Sequence, residues 1–460
     1  MPQEAVKIDA TVEMIPTFFD TYDSVLIVGT DGDGTADAGE LVEINSIYDA
    51  EEYFGSNTDL TNNLKNALNE GCDSLYAYNL IEKEEVETFD TEGDDFFDLE
   101  HTPSFISNSG ITVEFDGSDV SDSVFATYEE LEGTETISSN ESYLNSEQKK
   151  LLFGTALGSE EDLVVTYKYI DWDDLEEKVT SIYNLGVVAV TGLHRNEEYT
   201  TETPTNEEED VSNRIEVYQY GDKVEFLDFA TKNRSIFPLP IYAESLEFAT
   251  SHTVDIDELI SKNAFVVAHK YAEDDVSGSI AGALSTIEPN DKIMWKRIKT
   301  VETRQYMFSK IETSNYEDEQ INTIIYKDGL MLFSNGFSTT TEEGFRWIDV
   351  TRSKFYIVDS IHSKLENTLK FKNVPYNSKG ISMIRSSIDK SLRDLVNEDV
   401  IQEQYYDEFG DLRQGYRIIM PDIRNISTED RDNRLLRNIN IVAKLPGHIQ
   451  TIEISMNLLI

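Results

Sequence analysis

Ser24-Val25-Leu26-Ile27-Val28-Gly29 is apolar from its second residue to its fifth and closes on a glycine. A strand in a sheet with one wet face alternates apolar and polar residues; an unbroken apolar run belongs to a strand buried on both faces, as in sheets with helices packed on either side. The residues that follow fit that architecture. A polar Gly/Asp loop leads to a short strand over 41–44. Ser46 is placed to cap a helix over 47–54 that stops at Gly55. A second helix over 59–69 puts Leu60, Leu64, Ala67 and Leu68 on one face and stops at Gly71, and 74–80 reads as a strand. This is α/β alternation.

The alternation breaks between about 82 and 160. That stretch is acidic, rich in Ser, Thr, Asn and Gly, and holds short β-like pieces such as 111–115; it reads as an inserted, exposed subdomain. The pattern resumes with a strand over 163–169, a helix over 172–183 and a strand over 187–191, then an acidic loop over 196–210. Strands over 235–241 and 264–268 and a helix over 276–287 follow. The last third changes character. Phe355, Val358, Ile361, Leu365 and Leu369 recur at helical spacing, and Pro375 ends that region. Ile381, Ile384, Ile388, Leu392 and Leu395 predict a second helix, and strands are expected over 416–420 and 438–445, before a Pro446-Gly447 turn. Both ends of the sequence have a period of two: Val6, Ile8, Ala10 and Val12 near the start, and Ile452, Ile454, Met456, Leu458 and Ile460 near the finish. Both are read as strands without a local hairpin partner.

At 460 residues the chain exceeds one compact core and predicts two or three domains. Its one cysteine, Cys72, excludes an intrachain disulfide. No apolar stretch approaches the roughly 20 residues of a membrane helix, and the first 14 residues lack the apolar core of a secretory signal, so a product made in a cytoplasm is expected. The 38 basic and 89 acidic side chains give a formal charge of −51, which argues against nucleic acid or anionic membranes as partners. Such an excess fits a protein adapted to molar salt, where screening relieves self-repulsion; ordinary acidity for solubility is the simpler alternative. The charge is unevenly placed. Residues 1–290 hold 14 basic and 64 acidic groups, net −50, whereas 291–460 hold 24 and 25, net −1. The first part reads as facing solvent and the second as packing against partners.

No catalytic constellation emerges. The glycines at 29, 32, 34 and 39 do not form G-x-G-x-x-G, and Asp31, Asp33 and Asp37 would repel a pyrophosphate. The same aspartates have the alternate spacing of a calcium loop, but Val42 stands where its twelfth-position glutamate should be. Six scattered histidines and one cysteine do not supply the ligand spacing of a zinc site. Gly278-Ser279-Ile280-Ala281-Gly282 is not a nucleophile elbow; its small residues suit close helix packing. Neither an enzyme nor a bound cofactor or metal is expected.

Five stretches, in this order, resemble the tail sheath family of contractile phages and related injection machines. They are residues 25–71, with a strand ending Val28-Gly29-Thr30 and a helix ending Tyr53-Phe54-Gly55; 277–295, a helix with Ala281-Gly282 and a downstream Trp295; 320–335; 345–369, an arginine-containing long helix; and Asp430-Arg431-Asp432-Asn433-Arg434 followed by 439–445, Pro446-Gly447-His448-Ile449 and a terminal β arm. The opening Met1-Pro2-Gln3-Glu4-Ala5-Val6 differs from the Pro-Gly-Val-Tyr-like start of many family members.

The resemblance implies a multidomain α/β and α+β chain. An arm over 1–20 precedes an α/β domain over 21–81 and 161–300, with a β-rich subdomain inserted over 82–160. An inner domain over 301–448 is discontinuous, completed by the N-terminal strand, and a β arm spans 449–460. It implies a structural subunit that polymerises head-to-tail around a tail tube through strand-exchanging arms and contracts to drive the tube through a host envelope, in genome ejection or injection. The implied arm residues are Val6, Ile8, Ala10, Val12, Ile452, Ile454, Met456 and Leu458; Arg385, Lys390 and Arg393 are implied tube contacts. The implied partners are further copies of the chain, the tube protein, and baseplate and tail terminator proteins, in a virion tail assembled in a host cytoplasm. An acidic surface or adhesion protein is the alternative.

Overall fold

The computed structural model describes residues 24–30, 34–90, 96–101, 112–115, 118–119, 124–125, 142–145, 150–153, 162–179, 182, 185–191, 220–242, 260–270, 275–301, 308–342, 344–407 and 409–447. Along the chain, β1 (Ser24–Gly29), β2 (Leu41–Ile44), α1 (Ile47–Phe54), α2 (Asp59–Glu70) and β3 (Ser74–Asn79) come first. Eight strands follow: β4 (Glu82–Asp90), β5 (Phe96–Asp98), β6 (Thr112–Phe115), β7 (Ser118–Asp119), β8 (Val124–Phe125), β9 (Ser142–Asn145), β10 (Lys150–Phe153) and β11 (Asp162–Ile170). Then come α3 (Trp172–Val179), β12 (Leu185–Val190), α4 (Tyr220–Lys232), β13 (Phe237–Tyr242), β14 (Ala264–His269), α5 (Ser277–Ser285), α6 (Lys310–Asp318), β15 (Asn322–Lys327) and β16 (Leu330–Phe333). The C-terminal part holds α7 (Ile348–Phe371), α8 (Ser378–Asn397), β17 (Gln404–Tyr406), β18 (Leu412–Gln414), β19 (Tyr416–Ile419), α9 (Thr428–Asp432) and β20 (Asn440–Ala443).

The strand that opened the sequence reading lies inside the first sheet, ordered β12-β1-β3-β2, with β12 and β3 parallel to it and β2 antiparallel at the edge. Successive side chains of a strand point to opposite faces, and here both are covered. Val25 and Ile27 pack with Phe54, Leu60 and Leu64 of α1 and α2 and with Ile280 and Leu284 of α5. Leu26 and Val28 pack with Leu175 and Val179 of α3 and with Phe226 and Phe229 of α4. Each fully buried residue of this kind contributes roughly 1.5–3 kcal/mol. A second sheet, β13-β14-β15-β16, continues the first. The Val188 amide donates to the Ile236 carbonyl at 3.0 Å and the Ile236 amide to the Gly186 carbonyl at 2.9 Å, which joins the two edges. Cys72 is buried in the first core.

The expected element ends hold to within a residue or two here. Ser46 caps α1 by accepting from the Asp49 amide, and Gly55 stops it at φ 79°. Gly71 stops α2 in the left-handed region at φ 109°. Gly34 answers to packing, not to phosphate. A Cβ there would stand 2.0 Å from the Tyr53 carbonyl oxygen, because the loop is hydrogen-bonded to the last turn of α1 through Thr35 and Ala36.

Two boundaries differ from expectation. The strand expected to resume the α/β pattern near 163, β11, pairs along nine residues with β4 and also with β6, so it belongs to the β-rich part. Past residue 301, the chain returns to the central sheet. β15 pairs with β14 and turns through Asp328 (φ 53°) and Gly329 (φ 84°) into β16, and two consecutive positive φ values match the right-handed twist of a hairpin. The acidic loop over 196–210 lies outside the described residues.

α6 was not anticipated. Its N-terminus carries a reciprocal capping box: Ser309 accepts from the Glu312 amide and Glu312 accepts from the Ser309 amide. Lys270 at the end of β14 donates to the same carboxylate at 2.9 Å. The Lys270 bond first, then the Ser309 amide, hold the Glu312 carboxyl down at about 2 against an ordinary 4.5. The stabilisation is therefore present above pH 4.5 and is lost as pH falls through 2. Carboxyl-detected NMR titration of Glu312 should give a midpoint near 2, moving up toward 4.5 in Lys270→Met.

Candidate assembly surfaces

The C-terminal part is built on α7 and α8. Their apolar rows, Ile357, Ile361 and Leu365 on one and Ile384, Ile388, Leu392 and Leu395 on the other, form a separate core. The sequence periodicity anticipates both helices, and α7 begins seven residues before the first predicted apolar position. Asn377 caps α8 by accepting from the Lys379 and Gly380 amides. The β19–β20 ribbon lies over this pair, with Ile418, Ile439 and Ile441 packed against the core. The Tyr416 hydroxyl donates to Asp389 on α8 at 2.9 Å.

The amino half of α7 is fixed to the central sheet by two buried charges. Arg352, 2% exposed, donates to the carbonyls of Ile287 at 2.5 Å, Leu284 at 3.1 Å and Glu288 at 3.4 Å. Leu284 lies in the last turn of α5 and Ile287 and Glu288 just beyond it, at the end of a helix where a cation is favoured. Burial lowers the Arg352 pKa to about 10, with Asp349, Glu288 and Asp291 opposing the shift. Asp359, two turns along, accepts from Arg234 at 3.1 Å, and both side chains are largely shielded.

The β19–β20 ribbon forms a sheet of two strands among the described residues. Two strands alone are marginally stable in water, and unpaired edges are a template for further strands. Val442 and Ile419 are exposed on it. Its root is tied down, with the Gln402 amide donating to the Lys444 carbonyl and the Lys444 amide to the Gly415 carbonyl. Beyond that root the described residues are Leu445, Pro446 and Gly447.

The eight arm residues, Val6, Ile8, Ala10, Val12, Ile452, Ile454, Met456 and Leu458, lie outside the described residues, as do Asp31 and Asp33 of the acidic loop. The three cations nominated on α8 are all exposed but do not act as one cluster. Arg393 is bound to Asp389 at 2.8 Å, and Lys390 lines a groove of about 710 Å³ between α7 and α8, away from Arg385. That groove also takes Lys364, Lys372 and Lys379. Sequence reasoning missed these three because they come from two helices whose relative register is not written in either one. Arg352 was missed because a lone arginine in an amphipathic helix reads as solvated.

Comparison with known proteins bears on these surfaces. Residues 348–458 match the family model described as E217 tail sheath protein gp31-like, C-terminal domain. No curated relative matches the chain. Among solved structures, a chain of the anti-feeding prophage baseplate aligns with a TM-score of 0.55 at 12% identity, covering 100% of this chain and 99% of that one. The anti-feeding prophage helical sheath in its contracted state aligns with a TM-score of 0.53 at 12% identity, covering 99% of each. The contracted PVC sheath of an extracellular contractile injection system aligns with a TM-score of 0.52 at 11% identity, covering 99% and 98%. The resemblance to contractile tail sheaths thus holds in fold along the whole chain and in sequence over 348–458. The mixed α/β, multi-sheet architecture is that of sheath chains.

Proposed function

We propose, from a chain that carries the contractile-sheath fold, that this protein is a structural subunit of a contractile tail sheath and has no catalytic role. It polymerises head-to-tail around an inner tube, through terminal arms that add strands to neighbouring copies, and meets baseplate and terminator proteins at the ends of the tube. The observation that carries this reading is the β19–β20 ribbon, a sheet of two strands among the described residues, followed from Ile452 by a period-two sequence. Strand addition supplies main-chain hydrogen bonds, and a heterologous, non-closing contact generates a helix. In this reading residues 1–20 and 449–460 are the arms and the α7–β20 region is the inner unit. The acidic outer part comprises the α/β body, whose sheets take strands from 24–79, 185–269 and 322–333, with the β-rich insertion over 82–170. The near-neutral 291–460 part faces tube and neighbours, with Arg385 and Arg393 toward the tube and Lys390 in the groove between α7 and α8. The extended array is metastable, and contraction releases free energy by rigid-body rearrangement with the arms engaged. Assembly in a host cytoplasm and adaptation to molar salt belong to the same proposal.

Negative-stain electron microscopy of the purified chain in low and molar salt tests it. Hollow tubes or stacked rings of uniform width are expected, and deletion of residues 1–13 should leave a folded chain that does not polymerise. Monomers at every salt and concentration, with tube protein present, would sink the subunit reading; normal tubes from the deletion would sink the arm assignment alone.

A further inference from the structure

We infer that the tip of the β17–β18 hairpin of one copy docks into the lysine-lined groove between α7 and α8 of the next, a contact that rests on the subunit reading above. The hairpin is a built projection. The Asp407 carboxylate accepts from the Phe409 and Asp411 amides at 3.0 and 2.9 Å and from the Arg413 guanidinium at 2.8 Å. The Asp407 amide donates to the Asp411 carbonyl. This fixes the turn and holds three apolar side chains out in water: Phe409 is 87% exposed, Tyr406 73% and Leu412 55%. An ordered turn that displays large apolar groups is characteristic of an interaction site. Residues 403–414 carry Glu403, Asp407, Glu408 and Asp411 against Arg413 alone.

The groove complements that tip in charge and in kind. Lys364, Lys372, Lys379 and Lys390 line it, and no carboxylate does; Lys364 keeps a 3.5 Å contact with Asp394 outside the lining. Phe371, 82% exposed, and Met383 supply its apolar lining. In a chain of net charge −51, four lysines around an exposed phenylalanine are a local reversal of the prevailing sign. The volume of about 710 Å³ falls in the roughly 300–1,000 Å³ range of sites that enclose a few side chains.

Exposure on both sides points to a second copy as the occupant. Phe409 at the tip is 87% exposed and Phe371 in the groove 82%, so the tip does not sit in the groove of its own chain. The contact is therefore head-to-tail, in the sense an open helical array needs. Salt screens its charges to a Debye length of about 3 Å at 1 M, which leaves the Phe409 packing as the part that survives molar salt.

Mixing two single variants, Phe409→Cys and Met383→Cys, tests the assignment, since Cys72 is buried. Tubes formed from the mixture should give disulfide-linked dimers on mild oxidation, while each variant alone should not. A variant carrying both cysteines should give a ladder. Phe409→Ala should raise the concentration needed for assembly about tenfold, as loss of a central aromatic anchor does. Normal tubes with no cross-link, or Met383→Cys cross-linking to a cysteine-tagged tube protein instead, would overturn the contact and leave the subunit reading intact. A wild-type chain that forms neither tubes nor rings would overturn both.

Discussion

Replacing Arg352 with alanine should cost about 3–5 kcal/mol, the range seen when one partner of a buried charged cluster is removed. The guanidinium serves three carbonyls at the end of α5. Its loss leaves the Ile287 carbonyl without this donor in a site too buried for water to enter freely, at roughly 1–3 kcal/mol per unsatisfied group, while the Leu284 and Glu288 carbonyls keep the Ile287 and Asp291 amides. Asp349, 8% exposed, would lose its nearby cation as well. Lysine is a poor substitute. Its ammonium is a compact donor on a flexible stem, without the planar fork that spans separated acceptors, so Arg352→Lys should recover less than half of the loss. Urea denaturation followed by tryptophan fluorescence checks both variants. With Trp347 next to α7, the alanine variant should also show the helix pair melting before the central sheet. An alanine variant within 1 kcal/mol of wild type would mean that the contact is incidental.

Gly278→Ala should be the next largest effect, and its sign is not obvious. Alanine is favoured over glycine inside a helix by about 1 kcal/mol. The added methyl, however, would stand 2.1 Å from the Asn63 carbonyl oxygen and 2.7 Å from its Cα, both main-chain atoms that cannot swing away. The same approach lets the Asn63 side-chain carbonyl accept from the Gly278 amide at 2.6 Å, satisfying the start of α5 across 215 positions of sequence. Prising α2 from α5 costs about 3 kcal/mol or more as overpacking and loses that bond, so a net loss of about 2–3 kcal/mol is expected. In a domain of 150–250 residues this is a fall of about 4–12 °C in Tm. Gly329→Ala is the control. Nothing lies within 4 Å of its Cβ position and φ is 84°, so it should lose only the 1–2 kcal/mol of a left-handed backbone. Equal losses at the two sites would contradict the packing account.

The parts legible in the sequence are those where one segment carries its own signal. The 24–29 strand, the Gly55 and Gly71 stops and the apolar rows of α7 and α8 are local patterns, and each is where it was read. α6 shows why other elements escape. Of its nine residues only Tyr316 is buried, so it has no apolar stripe to find. Ser309 and Glu312, three apart, were its one signature. Asp328-Gly329 likewise spells a hairpin turn in plain sequence, yet that hairpin extends a sheet whose other strands come from residues 237–242 and 264–269, which no local reading reveals. The candidate surfaces were less legible still. Arm residues follow from period two, but the lysine groove exists only because two helices bring 364–372 opposite 379–390. The fixed projection of Phe409 depends on an aspartate whose bonding partners are set by the turn.

α7 is a single uninterrupted helix of 24 residues, about 36 Å long, with neither proline nor glycine to kink it. Its first half is clamped in the central sheet by Arg352 and Asp359, and its second half forms the C-terminal core with α8. In mechanical terms it is a drive shaft. The two halves of the subunit cannot hinge at their junction without breaking the shaft or tearing out its clamps. A tilt of about 10° imposed at the outer end therefore arrives at the inner end as a displacement of roughly 6 Å, the lever arm being set by the rise per residue. Torque is transmitted along the shaft with little loss to bending, so compliance in an array of such subunits would have to reside in the connections between copies.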